Sequence, residues 1–142
     1  MSTLQTIIDD FEYLEDWEDR YRYVIEIGKA LPAMPQSEQI DENKVKGCAS
    51  QVWLVAETNP GDPGDPVMVF RGDSDAHIVR GLVAIVLAAT SGEKASAVES
   101  LDETALMSQL GLGEHLSAQR ANGLRSMVMR IKAHAAAART DG

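Results

Sequence analysis

The 142-residue chain holds one cysteine, Cys48, in the stretch NKVKGCASQVWLV (43–55), and three histidines, His77, His115 and His134. These are the residue types that carry nucleophilic or metal chemistry. A single thiol cannot close an internal disulfide. Alone it holds neither zinc nor an iron–sulfur cluster, both of which take several ligands. Many free cysteines are simply small buried hydrophobes, but three neighbours of Cys48 argue for a reactive one. Gly47 opens backbone conformations closed to other residues, so the segment can present the thiol or withdraw it. Lys44 and Lys46, two of the five lysines in the chain, bring positive charge that favours a thiolate. The thiol also stands where a loop meets a strand, a place where a rigid scaffold holds functional side chains.

Each reaction open to such a thiol asks for different partners. A thiol-dependent hydrolase needs a base, which would make Cys48 the nucleophile and His115 the base, yet none of the histidines sits in a recognised local signature. A mixed metal site from Cys48, Asp75 and His77 has no ligand-spacing motif behind it. Accepting a sulfur atom and passing it on needs less. Exchange at sulfur proceeds by thiolate attack and requires no base within the same protein.

The elements that must position the thiol follow from hydrophobic periodicity. Leu4, Ile7, Ile8, Phe11 and Leu14 recur at helical spacing, with Ser2 and Gln5 as a capping box. Trp17, Tyr21, Val24, Gly28 and Leu31 repeat that spacing in a second helix. LPAMPQSEQIDEN (31–43) breaks the pattern with two prolines and reads as a loop giving slack upstream of the thiol. SQVWLVAE (50–57) and PVMVFRG (66–72) are rich in β-branched and aromatic residues, and TNPGDPGDP (58–66) between them reads as a turn. They form an antiparallel hairpin, leaving room for a short third strand over 43–47, since two strands alone are marginal. GDSDAHIVRGLVAIVLAATSG (72–92) is apolar nearly all round, as a central buried helix should be, with Asp73 and Ser74 as N-cap candidates and Gly92 as the C-cap. Gly81 inside it costs about 1 kcal/mol against alanine and implies close backbone approach to a neighbour. A short helix capped by Asp102 and a long one starting at Ser117 complete the chain. Leu124, Met127, Val128, Ile131 and Ala135 form the inner face of the last helix. Helices before and after a hairpin define a single α+β domain over 1–142.

Composition narrows the partners. The net charge is −9, with acids crowded into DDFEYLEDWEDR (9–20), and such a surface repels phosphate backbones, which argues against nucleic acid. The late basic residues Arg120, Arg125, Arg130, Lys132 and Arg139 read as the solvated face of the last helix. No apolar run reaches the roughly 20 residues of a membrane span. The acidic N-terminus is unlike a signal peptide, and one free thiol suits a reducing compartment, so the cytoplasm is expected.

KGCASQVWLV (46–55), GDSDAHIVRGLVAIV (72–86) and HLSAQRANGLRSMVMRIKA (115–133), preceded by WEDRYRYVIEIGKALP (17–32), resemble in order and spacing the SufE family of sulfur-acceptor proteins. The resemblance covers nearly the whole chain. It implies a small antiparallel sheet packed with helices, like the IscU scaffold. It further implies that Cys48 takes persulfide sulfur from a cysteine desulfurase of the SufS or CsdA type, stimulates that enzyme, and delivers sulfur to the SufBCD scaffold. The pyridoxal phosphate of the reaction belongs to the desulfurase, so no cofactor is expected in this chain. A monomer or weak homodimer is expected. Asp73 and Asp75 match the family block at the start of the central helix, where helix capping and partner contact are both open. Arg120 matches the family's arginine at the start of the last helix, with a salt bridge to the acidic N-terminal region as its simpler role. Gly47 and Gln51 flank the thiol as further interface candidates, and Trp53 is expected in the core.

Overall fold

The computed structural model describes residues 3–141. Among these, the order is α1 (Leu4–Tyr13), α2 (Trp17–Lys29), two 3₁₀ turns (Gln36–Glu38 and Asp41–Asn43), β1 (Val52–Asp62), β2 (Asp65–Ser74), α3 (His77–Thr90), α4 (Ala95–Glu99), α5 (Glu103–Gln109), α6 (Leu112–His115) and α7 (Ala118–Asp141). The two strands pair antiparallel, with Val52 opposite Ser74 and Asn59 opposite Val67. Helices α2 and α7 and strand β2 all pack on α3, which lies at the centre of the α+β domain.

Periodicity dictates the packing. Ile7, Ile8 and Phe11 of α1 are buried, as are Val24, Ile27 and Gly28 of α2. On α3 the buried set runs from Ile78 to Thr90 with few gaps, so that helix has no solvent face of its own. The inner stripe of α7, Leu124, Met127, Val128, Ile131 and Ala135, is fully inside. Trp53 is also core. The implied close approach at Gly81 is a helix–helix crossing: a Cβ there would lie 2.1 Å from the Val24 carbonyl oxygen, and one on Gly28 would lie 2.6 Å from the Gly81 amide nitrogen. Gly92 adopts φ +88 after α3 and donates its N–H to the Met68 carbonyl.

Several boundaries differ from the sequence expectation. Ser2 lies outside the described residues, and α1 is capped by Thr3, whose side chain accepts from the Thr6 amide. No third strand forms over 43–47. The segment makes an isolated bridge, Lys44 to Trp53, with the Val45 N–H on the Val52 carbonyl at 2.8 Å. The strands run further than expected, through a bulge between Asn59 and Asp62, and turn only at Pro63–Gly64. Proline is tolerated there because both strands of a two-stranded sheet are edges. Helix α3 starts at His77 with no side-chain cap, because Asp73 and Ser74 still belong to β2. Helices α4 and α6 were not expected; at five and four residues they are too short to show periodicity.

The segment 31–43 supplies no slack. Met34 is buried, its N–H donates to the Asp73 carboxylate at 3.0 Å, and Glu38 receives a forked pair of bonds from Arg71.

Gly81→Ala should lower stability by about 1–3 kcal/mol through overpacking at the Val24 carbonyl, despite alanine's better helix propensity. Urea unfolding measures it, and a variant as stable as the parent would mean that the helices can move apart freely.

Candidate functional site

The polypeptide from Val45 to Gln51 crosses the gap between the end of the second 3₁₀ turn and β1, and lies against α7. Gly47 is required twice over. Its φ is +90, and a Cβ would come within 2.6 Å of the Ser126 hydroxyl on α7. The turn thereby delivers Cys48 onto the same helix one turn earlier, at Gly123. The thiol is half-buried and donates to the Gly123 carbonyl at 3.5 Å. A Cβ on Gly123 would sit 3.5 Å from Sγ, in ordinary van der Waals contact.

Beside the sulfur is a recess of about 350 Å³, whose walls include Ser50, Val79, Leu82, Arg120 and Met127. Its floor is apolar and its rim polar. Burial pushes the Cys48 thiol above its usual pKa. The expectation that Lys44 and Lys46 favour the thiolate is therefore overturned. Lys46 is exposed and Lys44 half-exposed, so desolvation of the sulfur prevails over their charge.

The downstream end of the segment is tied to the hairpin. The Gln51 N–H donates to the Asp75 carboxylate at 3.0 Å, and the Gln51 carbonyl accepts from the Ser74 hydroxyl at 2.7 Å and from the Asp75 N–H at 3.3 Å. Asp75 is exposed and caps this strand end, not α3. Asp73 is a different case. It is 7% exposed, and its carboxylate accepts from the Met34 and Ser74 amides. The Arg80 Nε lies 2.8 Å away, off the hydrogen-bond direction, so charge holds that pair. Both oxygens of Asp73 are engaged internally, which takes it off the partner-facing surface.

The structure thus brings Gly47, Cys48, Gln51, Asp75 and Arg120 to one side of the molecule. Arg120 is exposed on the rim of the recess and, among the described residues, forms no ion pair, so the expected salt bridge to the N-terminal acids is absent. None of the histidines reaches the recess. His115 stacks on Trp17 with ring centroids 4.1 Å apart, His77 is exposed, and His134 bonds to Arg130. Cys48, Asp75 and His77 do not converge on a metal position, and among the described residues no other such cluster occurs. Sequence reasoning missed Gly123, Ser126 and Arg130. Their spacing of three and four on one flank of α7 was a signal, but nothing in the sequence says which segment that flank receives.

This α+β domain, with one sheltered thiol on a loop and no base beside it, has known relatives. Residues 5–135 match the profile of the SufE family, described as an Fe-S metabolism associated domain. The chain belongs to the SufE family. It is 63% identical to an uncharacterized SufE-like protein of Rhizobium etli over 135 residues, which cover 95% of this chain and 90% of that one. It is 39% identical to the sulfur acceptor protein CsdE of Escherichia coli over 128 residues, 88% of this chain and 82% of CsdE. The solution structure of a hypothetical protein from Thermus thermophilus shares the fold, with a TM-score of 0.76 over 96% of each chain at 20% identity. No described helix is long and apolar enough to cross a membrane.

Two measurements follow from this geometry. Asp73→Ala should cost roughly 3 kcal/mol, because Arg80 is left without its partner. Asp75→Ala should cost about 1 kcal/mol and chiefly speed hydrogen exchange at the Gln51 amide. Equal losses of stability would refute this division of roles. For Cys48, a pKa raised in the folded state means that the stability due to the neutral thiol is complete below the pKa of a free thiol and is lost as pH rises through the folded value. The pH midpoint of alkylation should accordingly lie above that of an unstructured cysteine peptide, and Cys48→Ser should remove the thiol's share of the alkaline loss of stability.

Proposed function

We propose that this protein accepts sulfur on Cys48 from a pyridoxal-phosphate-dependent cysteine desulfurase and carries it as a persulfide for iron–sulfur cluster assembly. The Cys48 thiolate attacks the outer sulfur of the persulfide on the donor enzyme's cysteine. A new S–S bond forms at Cys48 as the donor's S–S bond breaks, and the donor thiolate leaves. The proton lost by Cys48 goes to solvent, and no net oxidation occurs. The protein acts as a transfer partner and stimulates the desulfurase by removing its bound sulfur. Delivery to a SufBCD-type scaffold in a reducing compartment completes the role.

The observation that carries this reading is the position of the sole thiol. It lies half-buried over Gly123, beside a recess with room for a second sulfur and without a histidine on its walls. Shelter slows the climb to sulfinic and sulfonic acid that a free thiolate would suffer. The family and the sulfur-acceptor name of its Escherichia coli relative agree with it. Asp75, Gln51 and Arg120, exposed around the thiol, are the residues proposed to meet the desulfurase, since a thiol entering another active site takes its neighbours with it.

Incubation with a cysteine desulfurase and free cysteine should raise the intact mass by one sulfur atom or more. Reductant should reverse the gain, and Cys48→Ser should abolish it. An unmodified wild-type chain beside an active cognate desulfurase would refute the proposal.

A further inference from the structure

The acceptor loop lies along α7 as if against a ruler. Cys48 meets Gly123, Gly47 meets Ser126, and the backbone at Lys44 and Glu42 meets Arg130. Gly123, Ser126, Arg130 and His134 follow one another at steps of three and four, so they form a single line on the helix. The loop runs antiparallel to that line.

The contacts along it differ in kind. Between Lys46 and Ser50 no backbone group bonds to another segment among the described residues. The thiol contact at 3.5 Å is a weak hydrogen bond from a poor donor. Arg130 is the strong contact. Its Nη1 donates to the Lys44 carbonyl at 3.1 Å, its Nη2 to the Glu42 carbonyl at 2.6 Å, and its Nε to His134 Nε2 at 3.1 Å. Burial, reinforced by the Arg130 charge, holds His134 below its usual pKa, which keeps its ring neutral and able to accept. The chain has 22 acidic residues, yet among the described residues Arg130 pairs with none of them. It is committed to two carbonyls and a ring nitrogen. A planar guanidinium fork can bridge two carbonyls two residues apart, whereas an ammonium has no such fixed fork.

We propose that Arg130 is the positioning residue of the acceptor loop: it clamps the loop's upstream end to α7 and so sets the register that places Cys48 over Gly123. With Gln51 tied to Asp75 and Ser74 downstream, the part free to swing is limited to about Lys46–Ser50. The relevance to sulfur transfer rests on the function proposed above, but the clamp itself concerns only the accessibility of the thiol.

The experiment uses the full chain without any desulfurase. Iodoacetamide alkylation of Cys48 under native conditions, local hydrogen exchange and thermal melting are compared for wild type, Arg130→Ala, Arg130→Lys and the control Arg125→Ala, an exposed arginine of the same helix. Arg130→Ala should alkylate about tenfold faster or more, with faster exchange over 43–47 and unchanged exchange over 52–57. Arg130→Lys should fall between Arg130→Ala and wild type, and Arg125→Ala should match wild type. Alkylation of Arg130→Ala within twofold of wild type would overturn the proposal, as would acceleration spread equally over both segments. If Arg130→Ala melts below the assay temperature, Arg130→Lys decides alone: faster alkylation in the folded protein supports the clamp, and a wild-type rate overturns it. Because no persulfide is involved, failure here is distinct from failure of the mass-spectrometric test of sulfur acceptance.

Discussion

The backbone contact between α2 and α3 at Gly28 and Gly81 is the constraint on which the other arrangements rest. A two-stranded sheet cannot stabilise itself, so its inner face needs a helix pressed against it, and that helix needs cover on its remaining sides. Helix α3 meets the hairpin at Gly72, where a Cβ would collide with the Leu54 and Val83 side chains at 2.8 Å. It meets α7 on another side, and α2 closes the last at a distance only two glycines allow. One consequence is that the chain leaving α2 passes the start of α3. Arg80 donates to the Leu31 carbonyl there, and Asp73 receives the Met34 amide. The segment 31–43, polar and proline-bearing, is thereby drawn onto the core and does not hang free.

At the thiol, burial and charge compete, and burial prevails. Nearby lysines would favour the thiolate, but the sulfur is partly desolvated and that effect prevails. A protonated thiol can donate to the Gly123 carbonyl, whereas a thiolate would face that oxygen's partial negative charge. The docked position therefore suits the resting thiol and disfavours the nucleophilic form. In the role proposed above, reactivity and shelter would be separated in space, and the weak hold in the middle of the loop, between firm holds at its ends, would make that separation reversible.

Asp73 and Asp75 show how two identical side chains two residues apart acquire opposite roles. Residues two apart on a strand share a face, but β2 ends at Ser74, so Asp75 is free of that constraint. Asp73 points into the node formed with Arg80 and the Met34 amide, while Asp75, past the strand end, faces solvent and ties the start of β1. One maintains the fold, and the other borders the thiol.

Much of this was legible in the sequence, because it depends on local periodicity. The main helices, the hairpin, the buried central helix, the need for close approach at Gly81 and the isolation of Cys48 as the one thiol all follow from residue types at fixed spacings. The specific block around Cys48 also carried the family resemblance. What only the tertiary structure decided involves residues far apart in the chain. The strand claimed Asp73 and Ser74 because Trp53 and Val52 pair across from them, so neither caps α3. Arg120 stands exposed on a rim while Arg130, expected in solvent, holds two carbonyls more than eighty residues upstream. The thiol is raised in pKa, not lowered, because desolvation depends on what covers it. Periodicity determines which face of a helix is apolar, whereas the choice of which loop lies along its polar flank is made by packing of the whole chain.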